Sequence, residues 1–336
     1  MMTIEELESA CDASQMLDFS RHLLDAPELP LQRMFYPFGF PAELRTNSAE
    51  ILSISEEVWG VYEPRFDTKP ILVDVHVLEC DSIECPPAPE YRIMQPLLVS
   101  VADSNNYCIC DLSQHRTQMV ISTAALRHKS YLRYFFLEST AGCHIANQHT
   151  TPIHAGCVAL EGSGVLLCGD SGAGKSTLSY ACARSGWTYI TDDCSYLLNS
   201  GKERIVMGNS HQVRFRPSAG ELFPEVSSLE ITPRAAGKPS IEMPTRLMHR
   251  IVRAETAEID FIVFLNRRTG GVPQLTRYRT DVARQFMRQV LFGSAESLAV
   301  HYEAIERLLT AEVFELRYND LDWAVERLRA LVSEGR

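Results

Sequence analysis

Eight consecutive residues, Gly169-Asp170-Ser171-Gly172-Ala173-Gly174-Lys175-Ser176, restrict the fold of this chain more than any other stretch. Gly, four residues, then Gly-Lys-Ser is the pattern of a loop that curls until successive backbone N–H groups point inward. The flanks have the order such a loop requires. Gly164-Val165-Leu166-Leu167-Cys168 is a continuous apolar run, the mark of a strand buried on both faces. Thr177–Arg184 lacks Gly and Pro, spaces Leu178, Ala181 and Cys182 on one helical face, and is followed by a closing Gly186. Strand, loop and helix in this order aim a helix dipole and a nest of N–H groups at one anion. Lys175 then reaches the outer phosphates, and the Ser176 hydroxyl is a ligand for Mg²⁺. Gly169, Asp170, Ser171, Gly172, Ala173, Gly174 and Thr177 complete the cradle, so ATP and Mg²⁺ are the expected ligands.

Composition sets the frame. A chain of 336 residues is long enough for about two domains. With 45% hydrophobic and 22% charged residues it reads as a globular protein. No apolar run approaches the ~20 residues of a membrane helix. Met1–Glu8 is acidic, without the basic and apolar regions of a secretory signal. The expectation is therefore a cytoplasmic protein with no membrane partner. A net charge of −11 argues against a nucleic-acid partner, which needs a basic footprint. The ten cysteines form no C-x-x-C, and several lie in apolar runs, so they read as reduced core thiols.

Residues 1–150 read as a small α+β module. It has a weak helical pattern over Thr3–Leu24, a proline-broken stretch, and a short helix from Asn47-Ser48 to Val58. Strands follow at Ile71–Leu78, Leu97–Val101, Tyr107–Leu112 and Gln118–Ser122, with a loop at Cys80–Glu90 and a helix over Ser130–Asn147. No catalytic signature lies there. Residues 151–336 form the nucleotide-binding α/β domain. His154–Leu160 and the strand before the glycine-rich loop make a hairpin around the turn Glu161-Gly162-Ser163-Gly164, and the C-terminus from Asp281 is largely helical.

Trp187–Thr191 is a strand that ends in Asp192-Asp193. One helix and one strand separate this pair from Lys175, so the strand end belongs beside the loop, where open α/β sheets bind ligands. Two carboxylates beside a triphosphate call for a metal ion. One of them can also take a proton from an attacking hydroxyl.

His154, the Gly169–Ser176 loop, Gly186 and Asp192-Asp193, in this order and spacing, resemble the catalytic core of the HPr kinase/phosphorylase family. The resemblance is tight over His154–Asp193 and loose over the rest of the second half. It implies a P-loop domain of HPr kinase/PEP carboxykinase-like type, which in this chain is preceded by the smaller N-terminal α+β module. It also implies transfer of the ATP γ-phosphoryl group to a seryl hydroxyl of a protein or peptide, and a homo-oligomer. Asp193 would be the proton acceptor and Asp192 a support for the metal, with the order of the two roles open. His154 would sit near the transferring phosphoryl group. Where the family has a glutamate, this chain has Gln212-Val213-Arg214-Phe215-Arg216-Pro217, which offers Arg214 and Arg216 for phosphate but no carboxylate. The segment used for dephosphorylation has no counterpart, so kinase rather than phosphorylase activity is expected; the N-terminal module does not resemble the family's usual one, so the expected target is a protein or peptide other than HPr. Two rival readings remain: a small-molecule kinase of shikimate or gluconate type, and a non-enzymatic ATP-binding regulator.

Overall fold

The computed structural model describes residues 4–13, 15, 28–229, 231–232, 239–248, 251–268 and 270–335. Among these residues, contacts divide the chain into one unit ending at Asn147 and another starting at Gln148.

The first unit holds α1 (Ile4–Asp12), α2 (Ala49–Trp59) and seven strands. These are β1 (Leu31–Phe35), β2 (Ala42–Thr46), β3 (Ile71–Leu78), β4 (Glu90–Met94), β5 (Leu97–Asp103), β6 (Asn106–Asp111) and β7 (Arg116–Ser122), in the order β1-β2-β3-β7-β6-β5-β4. β3 is parallel to β2 and to β7, and the other neighbours are antiparallel. β3, β5, β6 and β7 lie on the expected strand runs. β1, β2 and β4 were not anticipated. β1 and β4 are the two edges of the sheet, and most of their residues are exposed or half-buried. Such strands lack the apolar alternation by which a strand is recognised. The expected helix at Ser130–Asn147 is broken into α4 (Lys129–Leu132), a π-helical turn at Arg133–Glu138 and α5 (Ser139–Gln148), preceded by α3 (Thr123–Arg127). Of the helical pattern expected over Thr3–Leu24, residues 14 and 16–24 lie outside the described residues.

The second unit begins with β8 (Thr150–Ile153), β9 (Ala155–Leu160) and β10 (Ser163–Cys168), then α6 (Lys175–Arg184) and β11 (Thr188–Thr191). β12 (Ser195–Leu198), β13 (Ile205–Gly208), β14 (Gln212–Phe215), α7 (Pro224–Ser227), β15 (Ile231–Thr232), β16 (Ser240–Pro244) and β17 (Thr256–Arg267) follow. The chain closes with β18 (Gln274–Arg277), α8 (Thr280–Arg288), α9 (Ala295–Leu308), β19 (Glu312–Tyr318) and α10 (Leu321–Glu334). The main sheet is mixed, in the order β11-β9-β10-β17-β13-β12-β8, with β19 added in parallel to β17 and β18 paired to β19. β14, β16 and β15 form a small separate sheet.

The apolar run of β10 is buried throughout because both faces of the sheet are covered. Val165 and Leu167 enter one core with Leu178 and Cys182 of α6 and Ala324 and Leu328 of α10. Leu166 and Cys168 point the other way, into a core with Ala283 and Met287 of α8 and Ile305 and Leu308 of α9. β17 alternates in the same manner, with Phe261, Val263 and Leu265 on the first face and Ile262 and Phe264 on the second. The result is an α/β architecture with mixed sheets, broadly compatible with a nucleotide-binding fold.

Candidate active site

β10 pairs antiparallel with β9, and β9 pairs antiparallel with β11. β10 and β11 therefore run in the same direction with β9 between them, rather than side by side. The start of β9 lies between the ends of the other two. His154 immediately precedes it, outside the strand expected to contain it. By this topology the glycine-rich loop after β10, His154 before β9 and Asp192-Asp193 after β11 meet at one end of the sheet.

The loop delivers Lys175 at the first turn of α6. Gly174, the residue before it, has φ +100° and ψ 16°, a left-handed conformation that disfavours any side chain. A Cβ there would also stand 2.7 Å from the Tyr318 hydroxyl. Lys175 is buried. Its Nζ donates to the carbonyls of Gly169 at 2.7 Å and Asp170 at 3.3 Å, and lies 2.9 Å from His154 Nε2. An ammonium donating to Nε2 leaves the imidazole proton on Nδ1, which faces Asp193 Oδ1 at 3.7 Å. Burial lowers the Lys175 pKa, against the pull of nearby carboxylates led by Asp193. Burial, then the Lys175 charge, lowers that of His154. Both shifts are expected of two basic groups sharing one proton-rich corner.

The two aspartates differ sharply. Asp192 is 5% exposed, whereas 60% of the Asp193 side chain is open to solvent. The Tyr189 hydroxyl shares its proton between Asp192 Oδ1 at 3.0 Å and the Gln212 carbonyl at 2.9 Å. The Arg214 N–H donates to Asp192 Oδ2 at 3.2 Å, and the nearby Ser176 hydroxyl also favours the charged carboxylate. Burial, followed by the neighbouring Asp193 charge, nevertheless pushes the Asp192 pKa up to about 6. The donors partly offset this, since each favours the charged form.

The structure thus joins Lys175, Ser176, His154, Asp192 and Asp193. Arg214 belongs to this group through its backbone, while its guanidinium pairs with Glu242 Oε1 at 3.1 Å across β14 and β16. Arg216 stands apart, exposed at the head of the 3₁₀ turn Pro217–Glu221. Asp170, Ser171 and Gly172 lie exposed at the loop tip, with Ala173 and Thr177 half-buried.

Sequence reasoning did not single out Tyr189, Glu242 or Gly156. Tyr189 and Glu242 sit in short strands where an aromatic or an acid is unremarked. Gly156 lies where β9 and α6 nearly touch: a Cβ there would be 2.6 Å from Ser179 Oγ and 3.3 Å from the Asp192 carbonyl. A lone glycine in an apolar strand hints at such an approach.

Among the described residues, no three or more His, Cys, Asp or Glu side chains form a group able to hold a metal ion by themselves. Mg²⁺ bound with a nucleotide takes most of its oxygens from phosphate and water and only one or two from protein. Ser176 and the buried Asp192 carboxylate near it fit that smaller demand.

No protein family matches the chain, and no curated protein does. Among solved structures, the Hpr(Ser) kinase/phosphatase from Coxiella burnetii aligns at 13% identity, covering 55% of this chain and 99% of that one, with a TM-score of 0.29.

Proposed function

We propose that the second unit is a phosphotransferase that moves the γ-phosphoryl group of a Mg²⁺-bound nucleoside triphosphate to a hydroxyl, on a protein or peptide seryl side chain. The observation that carries this reading is the convergence of Lys175, His154 and Asp193 beside Ser176 and Asp192. A nucleotide-binding regulator needs the loop, but it has no use for an exposed carboxylate beside a lysine–histidine pair.

The contrast between the aspartates supports a division of labour. Asp193, open to solvent, is accessible to an incoming hydroxyl and takes its proton. Asp192, held by the Tyr189 hydroxyl and the Arg214 N–H, would hold the metal together with Ser176. Mg²⁺, when bound by Ser176 and Asp192, neutralises charge on the outer phosphates. Lys175 turns from the loop carbonyls to the β- and γ-phosphates, and His154 lies at the transferring group. Its Nδ1 side is turned toward Asp193 at 3.7 Å. Most of the rate gain then comes from positioning and charge neutralisation.

The test is transfer of γ-labelled phosphate from ATP into a lysate of the source cells, with wild type against Asp193→Asn. An acid-stable labelled polypeptide that disappears with the variant is expected. A loss of roughly 10²–10⁴ in rate with nucleotide binding intact is the range for a general base. Full transfer by Asp193→Asn would overturn the role of Asp193. Label confined to small molecules would overturn the polypeptide acceptor.

A further inference from the structure

A cavity of about 510 Å³ opens on the far side of α6 from the aspartate pair, within the size range of small-ligand sites. Of the loop-and-helix residues read as nucleotide ligands, it contains Thr177 alone. Lys175, Ser176, His154, Asp192 and Asp193 are not among its walls. Successive helical residues turn by about 100°, so Thr177 faces away from Lys175. The remaining walls come from further along α6, from Leu222 and Phe223 before α7, from the ends of β17 and β19 through Arg267 and Tyr318, and from the start of α10. Both Tyr318 and Arg267 lie against Gly174, the Tyr318 hydroxyl at 2.7 Å and Arg267 Cδ at 4.0 Å from where a Cβ would be. The cavity is therefore continuous with the back of the glycine-rich loop.

Its chemistry is unlike that of a phosphate site. Two arginines, Arg184 and Arg267, are balanced by two aspartates, Asp320 and Asp322. The Arg184 guanidinium lies 5.5 Å from the centroid of the Phe223 ring and is fixed by Glu225 at 3.3 Å. A guanidinium that borders the cavity beside an aromatic ring is a platform for a flat π-system. Asp320 caps α10 through Oδ1, which accepts from the Trp323 N–H at 2.7 Å, and its other carboxylate oxygen can accept from a hydroxyl.

We infer that this cavity holds the nucleoside of the phosphoryl donor, with the base stacked on Arg184 and the ribose hydroxyls donating to Asp320 or Asp322. The inference rests on the phosphotransferase reading and deepens it: the donor is a nucleoside triphosphate, and inorganic polyphosphate is a poor substitute. Since Lys175 takes the outer phosphates, the inner phosphate and its nucleoside leave the loop away from His154 and Asp193, toward Thr177.

The experiment compares binding of Mg-ATP and Mg-tripolyphosphate to the full chain by calorimetry, for wild type, Arg184→Ala and Leu222→Trp. Leu222 is an exposed cavity wall, and a tryptophan there fills the space. Wild type should bind Mg-ATP at least about tenfold tighter than Mg-tripolyphosphate, the scale of one stacked base. Both variants should bring ATP down to the tripolyphosphate level and leave tripolyphosphate unchanged, which also shows that they fold. Equal wild-type affinity for the two ligands overturns the inference while keeping the phosphate site. Variants that bind ATP normally overturn it as well, and lost transfer in such variants would make the cavity the acceptor's. Binding of neither ligand by wild type overturns the phosphotransferase reading itself, and the nucleoside site with it.

Discussion

Asp192 and Asp193 are adjacent in sequence and opposite in environment, and the difference has a pH signature. Asp192 titrates at about 6 because burial and its neighbour disfavour its charge. Its carboxylate is ionised above that pH and becomes protonated as pH falls through it. kcat/KM, which reports groups of the free enzyme, should therefore show an acid limb near pH 6. Tyr189→Phe removes a donor that favours the charged form, so the limb should move to higher pH. A limb that stays in place, measured in a pH–rate profile of the two proteins, would detach Asp192 from the reaction. Lys175→Ala should weaken nucleotide binding in the same calorimetric assay, because no other side chain of the loop brings a positive charge to the outer phosphates.

At the level of elements, the site depends on β9 being threaded between β10 and β11. That arrangement brings β9 so close to α6 that only glycine fits at 156. Gly156→Ala should lower stability by about 1–3 kcal/mol, the usual range for overpacking. Most of that should return in Gly156→Ala/Ser179→Ala, which removes the atom that the new Cβ meets; urea unfolding of the three proteins checks it. The helix after the loop also ends as its residues require. α6 closes at Ser185, and Gly186 has φ +90°, with the Trp187 N–H returning to the Cys182 carbonyl at 3.1 Å.

Across the whole molecule the thiols offer a check on packing in both units. Cys108, Cys110, Cys157, Cys168 and Cys182 are buried, Cys85 is exposed, and none of the ten cysteines is bridged in a disulfide. A water-soluble thiol reagent should modify Cys85 first and reach the five buried thiols only as the protein unfolds, with peptide mapping as the readout. Rapid native labelling of Cys157 or Cys168 would mean that the core around β9 and β10 is open. Among the described residues no helix is long and apolar enough to cross a membrane.

What was legible in the sequence was local. The glycine-rich loop, the apolar strand before it, the helix after it and the aspartate pair are each written in a few contiguous residues, because glycine conformation, apolar runs and helical spacing act over short distances. The edge strands β1 and β4 carry no such pattern, since exposed strands need no apolar face. Only the tertiary structure decided that β9 lies between β10 and β11, and so that His154 stands between Lys175 and Asp193. It also decided that Asp192 is buried and Asp193 open, that Glu242 crosses to Arg214, and that Thr177, Arg184, Tyr318 and Asp320 share one cavity. Strand order and burial arise from residues far apart in the chain, whose meeting no local pattern records.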